Sequence, residues 1–495
     1  MPGGQTGSLG PHLYPTSPIR HQVRSVALAL VAITLFVSSG CISARRTPNL
    51  ERVFREARAR TGKRPIIVIP GILGSQLIDS KTGEIVWPSV FRSEADYPPI
   101  SRDLLSTRDD LVAGKIIETV RFAKILPEVY VYRDLLEALR HYAGYRDGDW
   151  NNPGVDGDRD TFYVFAYDWR RDNVENAREL VRRIERLKEL LKRPDLRFTI
   201  LAHSMGGLIA RYAAMYGNND LPPSADHIFP TWAGAAHISK IVMIGVPNEG
   251  SADAFATIIA GYSITEGLRR RVPLLNKLTA ADALRSPAVF QLLPHPRSAK
   301  ILDENLKPSP IDFYDPEVWK RYGWSPLNEA GFRERYARRN GENALATYDQ
   351  YFAVVLQRAK RFHEALDAVP DGQPPVLLLA IGGDCEETLD APAVFRDPKT
   401  DRWITLIRPR EFVTVSGKRI TKRQLTEAMY APGDGRVTRS SLLGDSLAGK
   451  RNSSVLGSPL AFTYAVFGCD LHGQLQRNKT LQDNALTAIV AEAMN

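Results

Sequence analysis

Cysteine is scarce in this sequence, with three residues in 495. This scarcity excludes a disulfide-framework protein and a cysteine-rich zinc domain. No apolar run reaches the roughly 18 residues of a membrane-spanning helix, which excludes a polytopic membrane protein. Lys and Arg total 65 against 56 Asp and Glu, a net charge of +9, and no basic tract is interleaved with aromatic residues. Nothing therefore indicates nucleic-acid binding, and the modest excess fits weak attraction to an anionic membrane surface.

The N-terminus carries the pattern of an export signal. Arg20, His21 and Arg24 precede a 12-residue apolar run at 26–37. A helix of that length is about 18 Å long, too short to span a hydrocarbon core of about 30 Å. Residues 1–41 are therefore predicted to be a secretory signal peptide, and we expect an exported protein of a bacterial cell envelope or a secreted one.

Cys41 follows the small residues Ser-Ser-Gly, which resemble a bacterial lipoprotein processing site. At such a site the cysteine becomes the lipidated N-terminus; the alternative is a plain cleavage site. Residues 42–62 are rich in Arg and are predicted to form a basic tether that starts with a short helix. Cys385 and Cys469 lie in the folded body, and their spacing leaves open whether they pair.

The body alternates short apolar strands with amphipathic helices. This alternation predicts an α/β fold with a mostly parallel sheet covered by helices on both faces. The catalytic domain is expected at 63–495, with cap or lid insertions at about 78–128, where strand signal is weak, and 250–350, whose aromatic residues are expected to form the core of the cap rather than lipid anchors. Strands are predicted at 65–69, 161–167, 197–201, 240–246 and 376–381, and helices at 129–141, 174–191 and 208–215.

The main chemical signal is Leu201-Ala-His-Ser-Met-Gly-Gly-Leu208. A strand enters, Ser204 sits at the turn and a helix leaves, which is the context of a nucleophile elbow. Ala202 stands where the first glycine is usual. The neutral alternative is a serine that caps a helix. His203 is adjacent to the serine, but neighbouring side chains at a sharp turn point apart, so a packing role is expected for it.

A serine nucleophile needs a base and an orienting acid, in the chain order serine, acid, histidine for this fold. Asp434 lies in the turn Ala431-Pro-Gly-Asp-Gly-Arg-Val437, and His472 is the only histidine C-terminal to it. His472 is therefore the predicted base and Asp434 the predicted acid, with Asp384 as the rival acid. One oxyanion donor is expected from the Met205 N–H, and the other from the loop at 70–77.

These motifs resemble the lecithin–cholesterol acyltransferase family, which includes lysosomal phospholipase and the phospholipid:diacylglycerol acyltransferases. The matching segments cover roughly 64–295 and 376–475. The segments that match are Pro70-Gly-Ile-Leu-Gly-Ser-Gln-Leu77, Val86-Trp87, 132–145, Ala166-Tyr-Asp-Trp-Arg170, 202–207, Gly245-Val-Pro-Asn-Glu-Gly-Ser251, Ser286-Pro-Ala-Val-Phe-Gln-Leu-Leu-Pro294 and Gly433-Asp-Gly435.

The resemblance implies an α/β-hydrolase fold, an acyl-enzyme and a phospholipid acyl donor. It also implies the Leu73 N–H as the second oxyanion donor. No metal or organic cofactor is expected. The acceptor is water or an alcohol, and peripheral contact with a membrane is expected. The short disulfide loop of the animal enzymes is absent, because no cysteine lies between 42 and 384, so their lipid-surface and acceptor specificity does not carry over.

Within the most distinctive motif, Asp168 and Arg170 are expected to pair and to brace the cap rather than contact substrate. The sequence thus predicts a serine-dependent O-acyltransferase or phospholipase with a triad of Ser204, Asp434 and His472. Two alternatives remain at this point. One is a carboxylesterase or lipase acting on soluble or neutral-lipid esters, and the other is a non-catalytic surface binding protein on a hydrolase scaffold.

Overall fold

The architecture comes from a computed structural model. It describes residues 47–88, 110–120, 129–222, 228–260, 262–263, 277–278, 283–325, 330–368, 374–445 and 460–491. The predicted signal peptide and Cys41 lie outside these residues. Within the described ranges, no helix combines the length and apolarity needed to cross a membrane.

A seven-stranded parallel sheet forms the centre of the molecule. Its strands are β1 (Ile66–Ile69), β2 (Arg146–Asp147), β3 (Thr161–Val164), β4 (Phe198–His203), β5 (Ile238–Ile244), β6 (Leu377–Gly383) and β7 (Phe462–Gly468), in the order β7-β6-β5-β4-β1-β3-β2. Ile69 lies opposite Ala202, and Ile244 lies opposite His203. This register brings the carboxyl ends of β1, β4 and β5 to one edge, where the loop at 70–77 and Ser204 follow.

The described residues include thirteen α-helices. They are α1 (Leu50–Val53), α2 (Arg55–Ala59), α3 (Arg133–His141), α4 (Asn173–Leu191), α5 (Met205–Tyr216), α6 (Ala252–Ala260), α7 (Pro287–Phe290), α8 (Pro316–Tyr322), α9 (Ala330–Asn340), α10 (Asn343–Leu366), α11 (Lys422–Met429), α12 (Arg439–Leu443) and α13 (Lys479–Val490). Two 3₁₀ helices occupy Ala233–Ala236 and His472–Arg477.

Side-chain alternation along β1 shows how the two faces are covered. Ile67 and Ile69 pack into a large cluster with α4 and α5, whereas Ile66 and Val68 pack into a second cluster with α3 and α13. A strand with apolar side chains on both faces is what burial between two helical layers requires. The predicted α/β architecture is confirmed, and it is the α/β-hydrolase fold that the resemblance implies.

Shorter strands build several small sheets outside the central one. They lie at Ser75–Asp79, Ile85–Trp87, Leu111–Ile116, Thr119–Val120, Val129–Tyr130, Tyr262–Ser263, Lys277–Leu278, Ile301–Leu302, Pro308–Ser309, Glu386–Leu389, Ala393–Arg396, Trp403–Leu406, Phe412–Val413, Arg419–Ile420 and Tyr430–Gly433. Three of these strands form one antiparallel sheet, namely Ser75–Asp79, Ile85–Trp87 and Leu111–Ile116. The first begins just before the segment 78–128, and the other two lie inside it. The expectation of little strand there was wrong, because strands this short bury only one or two side chains, such as Leu77 and Trp87.

The second insertion is a helical lobe with an aromatic core. Phe255 contacts Phe313, Trp319 and Trp324 with ring centroids 4.8, 5.8 and 4.7 Å away. All four side chains are buried. These aromatic side chains belong to the same buried cluster as Ile67 and Ile241 of the central sheet. The lobe extends past 350, since α10 continues to Leu366.

The segment predicted as a basic tether differs from that expectation. Residues from Leu50 onward form α1 and α2, and Leu50 and Phe54 are buried in the cluster of α3 and α13. Arg60 also donates to the main-chain carbonyl of Val490. The folded body thus includes most of this segment, because two apolar residues spaced four apart give its short helices a buried face.

A disulfide joins Cys385, just after β6, to Cys469, just after β7. The disulfide therefore connects the ends of two adjacent strands. Its second cysteine, Cys469, lies three residues before His472 in the chain.

We predict that this disulfide makes a large contribution to stability. It closes a span of 84 residues, and loss of that closure in the unfolded chain corresponds to about 4–5 kcal/mol in the chain-entropy treatment. Urea denaturation with and without reductant measures the change in the free energy of unfolding. The paired variant Cys385→Ser/Cys469→Ser serves as control and should show no response to reductant. Equal stability of oxidised and reduced protein would contradict the prediction.

Candidate active site

Ser204 occupies a sharp turn between β4 and α5. Its φ is 53° and its ψ is −129°, a backbone conformation that a non-glycine residue adopts only when its surroundings enforce it. Gly206 packs so closely on β1 that an added Cβ would lie 2.5 Å from the Pro70 carbonyl oxygen. An added Cβ on Gly207 would collide with Val246. These contacts give the physical reason for the two glycines, and the predicted elbow is present.

The structure brings together the three predicted triad side chains. Ser204 Oγ lies 2.9 Å from His472 Nε2, and His472 Nδ1 lies 2.8 Å from Asp434 Oδ2. All three residues are buried. Asp434 follows the strand Tyr430–Gly433, and His472 is the first residue of a 3₁₀ helix beyond β7. Residues 268 positions apart thus meet in one hydrogen-bonded row.

The Asp434 carboxylate is held on its other side by main-chain donors. Oδ1 accepts from the N–H groups of Arg436, at 3.0 Å, and Val437, at 2.8 Å. The His472 N–H donates to the Asp434 carbonyl at 2.8 Å. Gly435 takes a φ of 87°, which favours glycine. The turn therefore fixes the carboxylate toward His472 and accounts for the glycine after it.

Asp384, the rival acid, lies elsewhere. Its nearest cation is Arg439, 4.0 Å away, and its side chain is 35% exposed. The structure does not bring Asp384 to His472, since β6 ends before it and the strand containing Gly433 approaches instead.

The loop after β1 folds back beside Ser204. An added Cβ on Gly71 would lie 2.8 Å from Ser204 Cβ, so the loop runs in contact with the elbow. Leu73 has a φ of 63°, and its carbonyl accepts from Trp87 Nε1 at 3.1 Å. Within the described residues, neither the Leu73 N–H nor the Met205 N–H has a hydrogen-bond acceptor. Both predicted oxyanion donors thus lie in segments that adjoin Ser204.

The motif Tyr167–Arg170 contacts both this loop and the second predicted insertion, where the Ala288 N–H donates to the Arg170 carbonyl at 3.4 Å. Tyr167 Oη donates to the Pro70 carbonyl at 2.9 Å, and the Trp169 ring meets the Trp87 ring edge-on, 5.5 Å between centroids. Asp168 and Arg170 form the expected pair, 2.7 Å apart, within the motif. A charged link to the helical lobe comes from a neighbour that sequence reasoning did not single out.

That neighbour is Asp172, which is buried. Asp172 caps α4 by accepting from the Val174 N–H at 2.8 Å. It also pairs with Arg358 of α10 at 3.0 Å and accepts from Gln291 Nε2 at 2.9 Å. One carboxylate therefore fastens the first turn of α4 to the lobe. An Asp directly before a helical repeat predicts the cap. The sequence does not predict the other two partners of Asp172, because Gln291 and Arg358 lie more than 100 residues away in the chain.

His203 is packed, as predicted, but it also makes two hydrogen bonds. Its Nδ1 lies 2.8 Å from Tyr132 Oη, and its Nε2 lies 3.2 Å from the His472 carbonyl oxygen. Burial, together with the nearby His472, lowers the pKa of His203 from 6.5 to about 3. The side chain is therefore neutral at physiological pH.

Among the described residues, one group of side chains has ligand atoms close enough together to hold a metal ion, and it consists of Cys385, Glu386 and Cys469. Its two sulfur atoms are joined to each other, so they are not thiolate ligands in this state.

The chain is similar to known proteins over part of its length. Residues 129–338 match the family model of lecithin:cholesterol acyltransferase. This segment is therefore similar to that family, as the motifs predict. Together with the fold, this match supports an enzyme that acts on lipid esters, and the predicted α/β-hydrolase fold is confirmed. No curated protein matches the chain.

Two solved structures match the chain at low sequence identity. A chain of the Tle4–Tli4 complex is 15% identical, with a TM-score of 0.53, and the match covers 88% of this chain and all of that one. The mature form of Bacillus licheniformis lipase BlEst2 is 12% identical, with a TM-score of 0.32 over 87% of this chain and 92% of that one. The first of these supports the α/β-hydrolase fold.

The pKa of His203 predicts a pH-dependent contribution to stability. The unfolded chain binds a proton at this histidine near pH 6.5, whereas the folded protein does so only near pH 3. The contribution is therefore complete above pH 6.5 and is lost as the pH falls toward 3. Between pH 7 and pH 4.5 the loss amounts to about 2–3 kcal/mol.

Urea denaturation of the wild type and His203→Gln at both pH values tests this. Glutamine does not titrate, so the variant should lose about 2–3 kcal/mol less than the wild type over this interval. The comparison of the two pH dependences cancels any constant effect of the substitution. Identical pH dependence of the two proteins would show that His203 titrates normally.

Proposed function

We propose that this enzyme is a serine-dependent O-acyltransferase or phospholipase that acts on the acyl ester of a phospholipid through an acyl-enzyme. The observation that carries the proposal is the buried row of Ser204, His472 and Asp434, with 2.9 and 2.8 Å between hydrogen-bonded atoms. A serine at such a turn, in contact with a base that an acid orients, has the arrangement of an activated nucleophile.

In the proposed first half-reaction, Ser204 Oγ attacks the ester carbonyl carbon while His472 Nε2 takes the hydroxyl proton. Asp434 holds the other ring nitrogen, which fixes the tautomer and stabilises the imidazolium. The C–O bond of the ester then breaks, and the leaving lysophospholipid alcohol takes the proton from His472. The products are the free alcohol and an acylated Ser204.

The tetrahedral intermediate places a negative charge on the former carbonyl oxygen. We assign the N–H groups of Leu73 and Met205 to that oxygen. Their segments adjoin Ser204, and both groups lack an acceptor within the described residues. Loss of one such donor typically costs about 10² to 10³ in rate.

In the second half-reaction, water or an acceptor alcohol attacks the acyl-enzyme while His472 again takes the proton. Water gives a fatty acid, and an alcohol gives a new ester. No metal or organic cofactor takes part in these steps. We propose peripheral contact with a lipid surface, because the acyl donor is a membrane component.

We also propose that the protein is exported. The apolar run at 26–37 supports this, as does the disulfide between Cys385 and Cys469, since disulfides persist in oxidising compartments. Whether Cys41 is lipidated follows from the mass of the mature N-terminal peptide.

The function is tested with vesicles of phosphatidylcholine, incubated with the purified protein in the presence and absence of a long-chain alcohol. Mass spectrometry resolves the products. An acylated alcohol would establish transfer, and fatty acid alone would establish phospholipase activity. Ser204→Ala should abolish both, whereas Ser416→Ala, which alters an exposed serine of a distant turn, should leave both unchanged.

Two negative outcomes separate the alternatives. Turnover of short soluble esters with none of phosphatidylcholine would favour the carboxylesterase. Folded protein that neither turns over esters nor reacts with a fluorophosphonate at Ser204 would favour the non-catalytic scaffold.

Asp434 and Asp384 offer a matched test of the acid. Asp434→Asn places an amide against His472 Nδ1 and favours the wrong tautomer, so kcat should fall by about 10³- to 10⁴-fold. Asp384→Asn should keep kcat within about twofold, because its side chain lies away from His472. Steady-state kinetics with a short ester measures both. A larger effect at Asp384 than at Asp434 would reverse the assignment.

A further inference from the structure

A second buried polar row lies behind the triad and connects two segments that the proposed reaction needs. The Gly71 N–H donates to Tyr132 Oη at 2.8 Å. Tyr132 Oη lies 2.8 Å from His203 Nδ1, and His203 Nε2 lies 3.2 Å from the His472 carbonyl oxygen. The row therefore begins in the loop that carries the Leu73 N–H and ends on the main chain of the base.

The chemistry of the groups fixes the direction of every bond in this row. A carbonyl oxygen only accepts, so His203 Nε2 must carry the proton. In a neutral imidazole the other nitrogen is then an acceptor, and the Tyr132 hydroxyl donates to it. That hydroxyl oxygen keeps a lone pair, which accepts from the Gly71 N–H. In the neutral state of His203, which its burial favours, this pattern of donors and acceptors satisfies all three bonds.

The same region ties the base to the start of α3 in other ways. Gln476 Nε2, in the 3₁₀ helix that begins at His472, donates to the Val131 carbonyl at 2.8 Å. Arg477 pairs with Asp134 at 2.7 Å. Tyr132 is buried, and it lies between Val131 and Asp134 in the chain. The tyrosine thus stands on an element that is already fastened to the histidine loop.

We propose that Tyr132 and His203 are positioning residues, which hold the loop of Gly71 and Leu73 in register with the His472 main chain. This inference rests on the proposed function, since it assigns the row a task in that reaction. Because of this row, His472, which accepts the serine proton, and the Leu73 N–H, which donates to the oxyanion, keep the same position relative to each other. The His203 ring also packs against the His472 ring, with 4.9 Å between the ring centroids, but in this account neither Tyr132 nor His203 contacts the serine hydroxyl or the substrate.

The row makes a distinctive kinetic prediction. Because substrate binding does not use these residues, Tyr132→Phe and His203→Gln should lower kcat by about 10- to 100-fold and leave KM within about twofold. Because both variants interrupt the same row, the double variant should be no slower than the slower single variant, instead of showing the product of the two effects.

The experiment uses the full chain and two readouts, which are turnover of a short p-nitrophenyl ester and the rate at which a p-nitrophenyl phosphonate releases nitrophenol on reaction with Ser204. Tyr163→Phe is the matched control, because Tyr163 is also buried and its hydroxyl donates to a main-chain carbonyl, that of Gly157 at 2.8 Å. Thermal unfolding of every variant gives the folded fraction at the assay temperature.

Slower phosphonylation and lower kcat in Tyr132→Phe and His203→Gln, together with normal rates in Tyr163→Phe at a comparable loss of stability, would support the inference. Rates within twofold of the wild type, independent effects in the double variant, or rate losses that only follow the unfolded fraction would overturn it. A folded wild type that does not react with the phosphonate would instead overturn the proposed function, and the inference with it.

Discussion

The turn at Ser204 is the constraint on which the rest of the site depends. A φ of 53° costs a serine about 1–3 kcal/mol, so the surrounding packing has to impose it. β1 and the loop after it provide that packing, since Gly71 and Gly206 leave room for backbone where any side chain would collide. The same contacts bring the Leu73 segment against the serine. The strained residue and its neighbours thus form one packed unit at the carboxyl edge of the sheet.

The other two residues of the hydrogen-bonded row, Asp434 and His472, are held by different parts of the chain. Asp434 sits in a turn whose own N–H groups bind its carboxylate, so its direction is set locally. His472 depends on tertiary contacts, namely the disulfide before it, the links from Gln476 and Arg477 to α3, and the row through His203. His472 is therefore held by contacts from several distant parts of the chain.

The sequence alone was sufficient to predict a residue's role where that role depends on neighbouring residues. The elbow at Ser204 and the glycine-flanked turn at Asp434 are local patterns, and chain order then leaves one histidine as the base. The sequence was not sufficient to predict a residue's role where that role depends on partners far away in the chain. His203 was assigned to packing alone, and Asp172 was not singled out, because Tyr132 and Arg358 lie 71 and 186 residues from their respective partners. The weak strands at 78–128 were missed because each buries too few side chains to show periodicity.

By itself, the sequence determined the α/β architecture and the strand–serine–helix turn, because hydrophobic periodicity and turn chemistry act over a few neighbouring residues. It also predicted Ser204 as the nucleophile and His472 as the base, and left Asp434 and Asp384 as candidates for the acid. Only the tertiary structure decided between Asp434 and Asp384, joined Cys385 to Cys469, and linked Gly71 to His472 through Tyr132 and His203. These choices depend on which strand ends meet at the edge of the sheet. Sheet order and register set that meeting, and both arise from packing of the whole chain.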